Sequence, residues 1–305
     1  ASDLFLAVRT PTSSAFSSVL GNVGKIRNEG VEFSISSKNI VKKNFRWTTD
    51  FNIARNTGKV LDIGTATPDA LGGVGDTRVV LGGPVGSFYL VKTLYIDPQD
   101  GRPVYEKLDP VTKQVAGETK DYNASRDRQV VGQPTPDFFG GIDNRITWNN
   151  FDLGFTGTFQ VGGDIYDDAE KFQLNNIGGW NPSRKVLNRW QKLGDVTDIP
   201  RLTLGLSGLT QSRNTTEFLH DASYFRMKVI SIGYRLPASL VKKVHLSNAR
   251  IAFSVSNVFT ITSYDGDPEI IRDLSSSQQR NLSANVSYLT APQSRNYTLN
   301  LNLNF

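Results

Sequence analysis

Three carboxylates sit at alternate positions in Tyr264-Asp265-Gly266-Asp267-Pro268-Glu269. Calcium takes several oxygens of this kind. A Gly-Asp-Pro turn with solvated acids accounts for the same residues and is preferred. Asp164, Asp167, Asp168 and Glu170 fall on what reads as a short helix over 164–172, and the same preference holds there. The chain has no cysteine, which excludes disulfides, thiol nucleophiles and cysteine-based zinc sites. His220 and His245 are the only histidines, too few for a multi-histidine metal centre. Each reads better as a surface residue than as a general base. No G-x-S-x-G elbow occurs. Gly72-Gly73-Val74-Gly75 and Gly82-Gly83 are not followed by the Lys-Ser/Thr that a phosphate loop needs. With no constellation behind a reaction, no catalytic residue, metal or cofactor is expected.

Binding chemistry is better represented. Trp180, Arg189 and Trp190 lie in a long connection. Aromatic faces can stack on a sugar ring or pack on a partner. The plainer reading, a small core that holds the connection together, is preferred. With Tyr264, Asp265, Asp267 and Glu269 they form the candidate set for contact with cargo or a partner.

Period-2 alternation must position all of these residues. Tyr297, Leu299, Leu301, Leu303 and Phe305 fall on one face, with Thr298, Asn300, Asn302 and Asn304 on the other. Similar runs centre on Val31–Ile35, Phe45–Ile53, Ile142–Trp148, Phe151–Val161 and Ile251–Val255. Residues 218–235 change phase near Val229-Ile230, which suggests a bulge. Leu4–Val8 is a weaker first strand. The result is about eight strands of roughly 9–12 residues, longer than those of soluble sheets. Short links (38–43, Asn149-Asn150, 236–248) alternate strictly with long ones (11–27, 55–136, 163–216, 259–293). In an up-and-down sheet every long loop then lies on one side, the asymmetry of outer-membrane barrels. Pro237–Lys243 reads as one helical turn on the short side.

Alternation alone also fits a β-sandwich. Strand length, sided loops and aromatics near the short turns (Trp47, Trp148, Phe151, Tyr234) favour a membrane barrel. So does the terminal Phe305, a liability on a soluble edge strand. The polar face carries Arg46, Asp50, Asn52, Asp143, Arg145 and Arg250, mixed in sign, and would line a water-filled or plug-filled lumen. A mean hydropathy of −0.32 and the lack of a long apolar run exclude transmembrane helices. The net charge of +5 is spread along the chain and does not point to nucleic acid. Ala1-Ser2-Asp3-Leu4-Phe5 has no signal-peptide features, and the chain is expected to be part of something longer.

Several stretches resemble the SusC/RagA-type TonB-dependent transporters of the Bacteroidota outer membrane. They are Asn22-Val23-Gly24-Lys25-Ile26-Arg27-Asn28-Glu29-Gly30-Val31-Glu32, Phe45-Arg46-Trp47 and Asn52-Ile53-Ala54-Arg55-Asn56. Next come Gly132-Gln133-Pro134-Thr135-Pro136-Asp137-Phe138-Phe139-Gly140-Gly141, then Arg189-Trp190 with Gly194-Asp195-Val196-Thr197-Asp198-Ile199-Pro200-Arg201. Asp221–Lys228, Leu236-Pro237, Asn257-Val258-Phe259, Tyr264–Glu269 and Phe305 complete the series in order. The resemblance implies that residues 1–305 are the C-terminal part of a plugged barrel of about 22 strands. It also implies an N-terminal plug, a TonB-contacting segment and a SusD-like surface lipoprotein as lid, with import of glycans or peptides through the outer membrane of a Gram-negative bacterium. The alternatives are a soluble glycan-binding sandwich and a membrane barrel without a transport role.

Overall fold

The computed structural model describes residues 2–9, 18–64, 72–73, 76–175, 181–202, 213–272 and 282–305. Eight strands form one antiparallel sheet in chain order. They are β1 (Ser2–Arg9), β2 (Ser18–Lys42), β3 (Phe45–Asp62), β4 (Phe138–Trp148), β5 (Phe151–Val161), β6 (Tyr224–Arg235), β7 (Asn248–Thr262) and β8 (Asn296–Asn304). Within the described residues β1 and β8 each pair on one side only.

Alternation places successive side chains on opposite faces, and the register stacks like with like. One row reads Phe45, Trp148, Phe151, Tyr234, Ile251, Leu301 across six strands. The Phe151 and Tyr234 rings in it are 4.6 Å apart. The next row holds Trp47, Ile146, Leu153, Ile232, Phe253 and Leu299. The aromatic row beside the short turns therefore contains Phe45, with Trp47 one rung higher. Trp47 Nε1 donates to Asn144 Oδ1 at 2.8 Å, which satisfies a carboxamide buried on this apolar face.

Among the described residues no second layer covers this face. Phe33 is 57% exposed, Leu299 73% and Ile251 44%. A sandwich would bury such residues at a gain of about 25 cal/mol per Å². The described residues therefore do not form the two facing layers that the soluble-sandwich alternative expects.

Two strands run longer than alternation indicates. β2 is 25 residues long and β3 18, so residues 18–27 and 55–62 of the expected connections at 11–27 and 55–136 are strand. The reason is an inversion of polarity. Up to Val31 and Ile53 the apolar residues share the face of Phe33 and Phe51. Beyond that level this face carries Arg27, Glu29, Arg55, Thr57 and Lys59, while Ile26 and Val60 turn to the opposite face. Ile26 and Val60 pack there with Val79, Val85 and Leu282. The pattern inverts where a membrane-facing wall would become a wall in water.

The bulge lies at Lys228. β6 shifts register between Met227 and Val229 against both neighbours, one residue before the phase change in sequence. Phe225 and Met227 above it, and Ile230 and Ile232 below it, thereby stay on one face. Short turns close the other end. Asn149-Asn150 joins β4 to β5 with Asn149 at φ 52, a conformation asparagine tolerates. The helical turn expected near Pro237 is present as Ala238–Val241 and Lys242–Val244.

The buried core sits in the long connections, not under the sheet. Phe88, Leu90, Tyr166, Leu174, Val186, Phe218 and Val286 form its largest cluster. Strand Asp164–Asp167 pairs antiparallel with Leu219–Asp221 and parallel with Val286–Ser287, which knits two connections together. The expected helix over 164–172 is this strand followed by helix Glu170–Asn175. Burial of Ile165 and Tyr166 holds the first half extended. Strands Val85–Val91 and Thr93–Ile96 are adjacent in the chain but belong to different small sheets.

Candidate functional site

The polar face of the sheet and the connections folded over it form the candidate site. All six wall residues read from the sequence lie on this face. Asp50 stands directly opposite Asp143, and Thr48, on the same face, opposite Arg145. Like charges in register repel, and the carboxylate of Asp143 is offset locally. Arg145 Nε donates to Asp143 Oδ1 at 3.0 Å and Thr156 Oγ1 donates to Oδ2 at 2.6 Å. Asn52 lies beside Gly141, and with Ser34, Asp50, Asp143, Thr156 and Thr158 it lines a shallow cavity of about 300 Å³. Arg250 is held by Asp152: Nε donates to Oδ1 at 3.0 Å, and a terminal nitrogen pairs with Oδ2. Such two-point pairing fixes the guanidinium plane. Arg46 is opposite Thr147, which is itself opposite Asp152.

The loop candidates divide differently. Asp267 and Glu269 are not solvated, as the sequence suggests, and they do not form a metal site. Among the described residues no group of His, Asp and Glu is arranged to hold a metal ion. Both carboxylates are ion-paired to β6. Arg226, 3% exposed, pairs with Asp267 and lies 2.8 Å from Glu269. Lys228 Nζ donates to both Glu269 oxygens at 2.7 and 2.6 Å, and Tyr224 Oη donates to Oε1 at 3.0 Å. The bulge explains why Lys228 takes part: the extra residue is free to turn toward the loop. Burial pushes the Asp267 carboxyl up, but Arg226 and the N–H groups of Glu269 and Gln293 outweigh it and hold it below the usual range. Asp152, Arg226, Lys228 and Tyr224 were not singled out from the sequence. The period-2 phase of β5 and β6 was the available signal.

Asp265 is largely exposed and pairs with Lys185 at 2.8 Å, which lowers its pKa. Lys185 also donates to Glu170 at 2.6 Å, and His220 Nε2 lies 2.6 Å from the other Glu170 oxygen. Burial raises Glu170, and these two partners more than reverse it. Asp168 is buried against Lys171 and Arg272. Asp164 accepts from the Gln133 N–H, and Asp167 caps the helix through the N–H groups of Ala169 and Glu170. The acids expected in solvent on 164–172 are therefore structural, because each sits where two connections meet. Tyr264 is 5% exposed and donates to Asp167 at 2.8 Å. Trp190 donates to the Pro98 carbonyl at 3.0 Å and packs over Gly101, where a Cβ would meet the indole. Arg189 donates to the Val186 carbonyl. Trp180 lies outside the described residues.

No protein-family model matches the chain. The RagAB peptide importer in its 'open-open' state superposes with a TM-score of 0.79 at 25% identity, over 100% of this chain and 31% of that one. The RagAB peptide transporter superposes with a TM-score of 0.78 at 24% identity, over 99% of this chain and 32% of that one. In sequence, TonB-dependent receptor P3 of Formosa agariphila is 31% identical over 328 residues, covering 99% of this chain. The chain is a homologue of the SusC/RagA-type TonB-dependent receptors. TonB-dependent receptor SusC of Bacteroides thetaiotaomicron is 27% identical over 88% of the chain. The receptor homologue spans about a third of these relatives, 31% of receptor P3 and 26% of SusC. Its large antiparallel sheet matches part of the barrel of the RagAB importer. The family consists of transporters, not enzymes.

Proposed function

We propose that this chain is the C-terminal wall of an outer-membrane importer that takes up glycans or peptides with energy delivered by TonB. The observation that carries the reading is the sidedness of the sheet. Its apolar rows are bare on one face, and every described long connection leaves the same end and folds inward over the polar face. An apolar band outside and a polar wall inside is what a bilayer and a water-filled passage require together. The plug, the TonB-contacting segment and the earlier strands would lie in the remaining two thirds of the receptor, and a SusD-like lipoprotein would cover the mouth. Arg46, Asp50, Asn52, Asp143, Arg145 and Arg250 would line the lumen beside the plug. The loop set would shape the mouth: Asp267 and Glu269 by fixing one loop to the wall, and Trp190 by joining two connections.

The test is deletion of the gene for the complete receptor, followed by uptake of labelled oligopeptide and oligosaccharide mixtures. Uptake of one class should fall to background. The intact gene should restore it, and loss of TonB should abolish it. Unchanged uptake of both classes would refute the proposal.

A further inference from the structure

Where β2 and β3 rise above the apolar rows, the bare face of the sheet carries three exposed cations. Arg55 stands opposite Val31, and two rungs further from the short turns Arg27 stands opposite Lys59. Across β4–β8 every paired position on this face is uncharged, so the cations are confined to the upper part of β2 and β3. Arg27 is tied to Glu29, which shares the face. Among the described residues no ion pair or hydrogen bond engages Arg55 or Lys59. Three cations against Glu29 leave an excess of positive charge. Like charges directly opposite on paired strands have Cβ atoms about 5 Å apart and repel. Glu29 balances Arg27 and leaves Lys59 uncompensated, so an anion seated between the two strands would relieve the repulsion.

The height of the set is defined by the strand. Measured from Phe45, a tilted β3 lifts Arg55 about 26 Å along the barrel axis and Lys59 about 36 Å, against an apolar band of about 25 Å. Arg55 thus lies at the upper edge of the band, and Arg27 and Lys59 lie in the wet headgroup layer above it. Long basic side chains at this level lay their stems on apolar surface and keep their charge among the headgroups. The surface directly below is greasy: Val31 is 73% exposed and Phe33 57%.

Cations above bare apolar rows complement an amphiphile with an anionic head and acyl chains. Guanidinium and ammonium groups are the usual partners of phosphate oxygens. We propose that the outer face of β2 and β3 binds the phosphate of an acylated lipid of the surrounding leaflet through Arg55, Lys59 and Arg27, with its chains against Val31 and Phe33. Inorganic phosphate has the same oxygens, but the apolar rows beneath the cations commit the site to a lipid. The inference rests on the membrane-wall part of the importer reading and does not depend on the cargo.

The test uses the complete receptor in detergent, with monophosphoryl lipid A, phosphatidylcholine and inorganic phosphate as probes and native mass spectrometry as readout. Monophosphoryl lipid A should bind more tightly than phosphatidylcholine. Arg55→Gln and Lys59→Gln should each weaken it about fivefold, and together about twenty-five-fold. Lys59→Arg should retain binding. Glu29→Gln removes the competing carboxylate and should tighten binding about fivefold, a gain that misfolding cannot imitate. Heat-dependent gel migration checks that each variant is a folded barrel. Lipid affinity within twofold of the parent in the double variant would overturn the assignment. So would equal affinity for phosphatidylcholine, or displacement of the lipid by excess inorganic phosphate. Each of these results leaves the importer reading standing. That reading falls separately, if gene deletion leaves uptake intact.

Discussion

Replacement of Arg226 by methionine should release the loop after β7 without unfolding the sheet. The guanidinium is 3% exposed and Asp267 is 5% exposed, so the variant strands a carboxylate in a dry site. Removing one partner of a buried pair costs about 3–5 kcal/mol. The lower end applies because Glu269 keeps Lys228 and Tyr224. A loss of about 3 kcal/mol is a rise of about 150-fold in local opening. The reporters are built in. The N–H of Glu269 donates to Asp267 Oδ1 at 3.1 Å and that of Gln293 to Oδ2 at 3.3 Å. Hydrogen exchange at these two amides in the complete receptor should accelerate by that factor, while amides of the β6–β7 ladder keep their protection. Adding Asp267→Asn removes the stranded charge but keeps an acceptor oxygen, and should bring exchange at the Glu269 amide back to within about tenfold of the parent. Acceleration of less than twofold in the single variant would show that the ion pair does not hold the loop.

Ile230→Arg puts a charge in the middle apolar row, between Phe155 and Val255, and should destabilise the barrel by about 2–4 kcal/mol. Ser231→Arg, one residue on and facing the polar side, should cost close to nothing; equal losses in urea unfolding would contradict the assignment of faces. Acidification should loosen the loops. Asp265, Asp267 and Glu170 have lowered folded-state pKa values. Their contribution is fully present above the unfolded carboxylate range, about 4, and is lost as the pH falls through the folded values below it. Near-ultraviolet circular dichroism melts should show constant loop stability from about pH 8 to 5 and a decline below about 4; stability that rose on acidification would contradict the sign.

The sequence by itself determined the eight strands, their order of long and short links, the face on which each wall residue lies and the bulge in β6. These are consequences of a period of two, which is local and survives without any knowledge of neighbours. Local pattern failed where its meaning inverts. Arg27, Glu29, Arg55 and Lys59 read as the end of β2 and β3, although the strands continue with water outside and packed loops inside. Only the tertiary structure could decide what the acids do. Asp267 and Glu269 look solvated until a strand far away in sequence brings Arg226 and Lys228 against them, and Asp168 until Lys171 and Arg272 close on it. Side-chain alternation is written along the chain, whereas the charge partner of a loop residue is set by the register between segments that the chain itself separates.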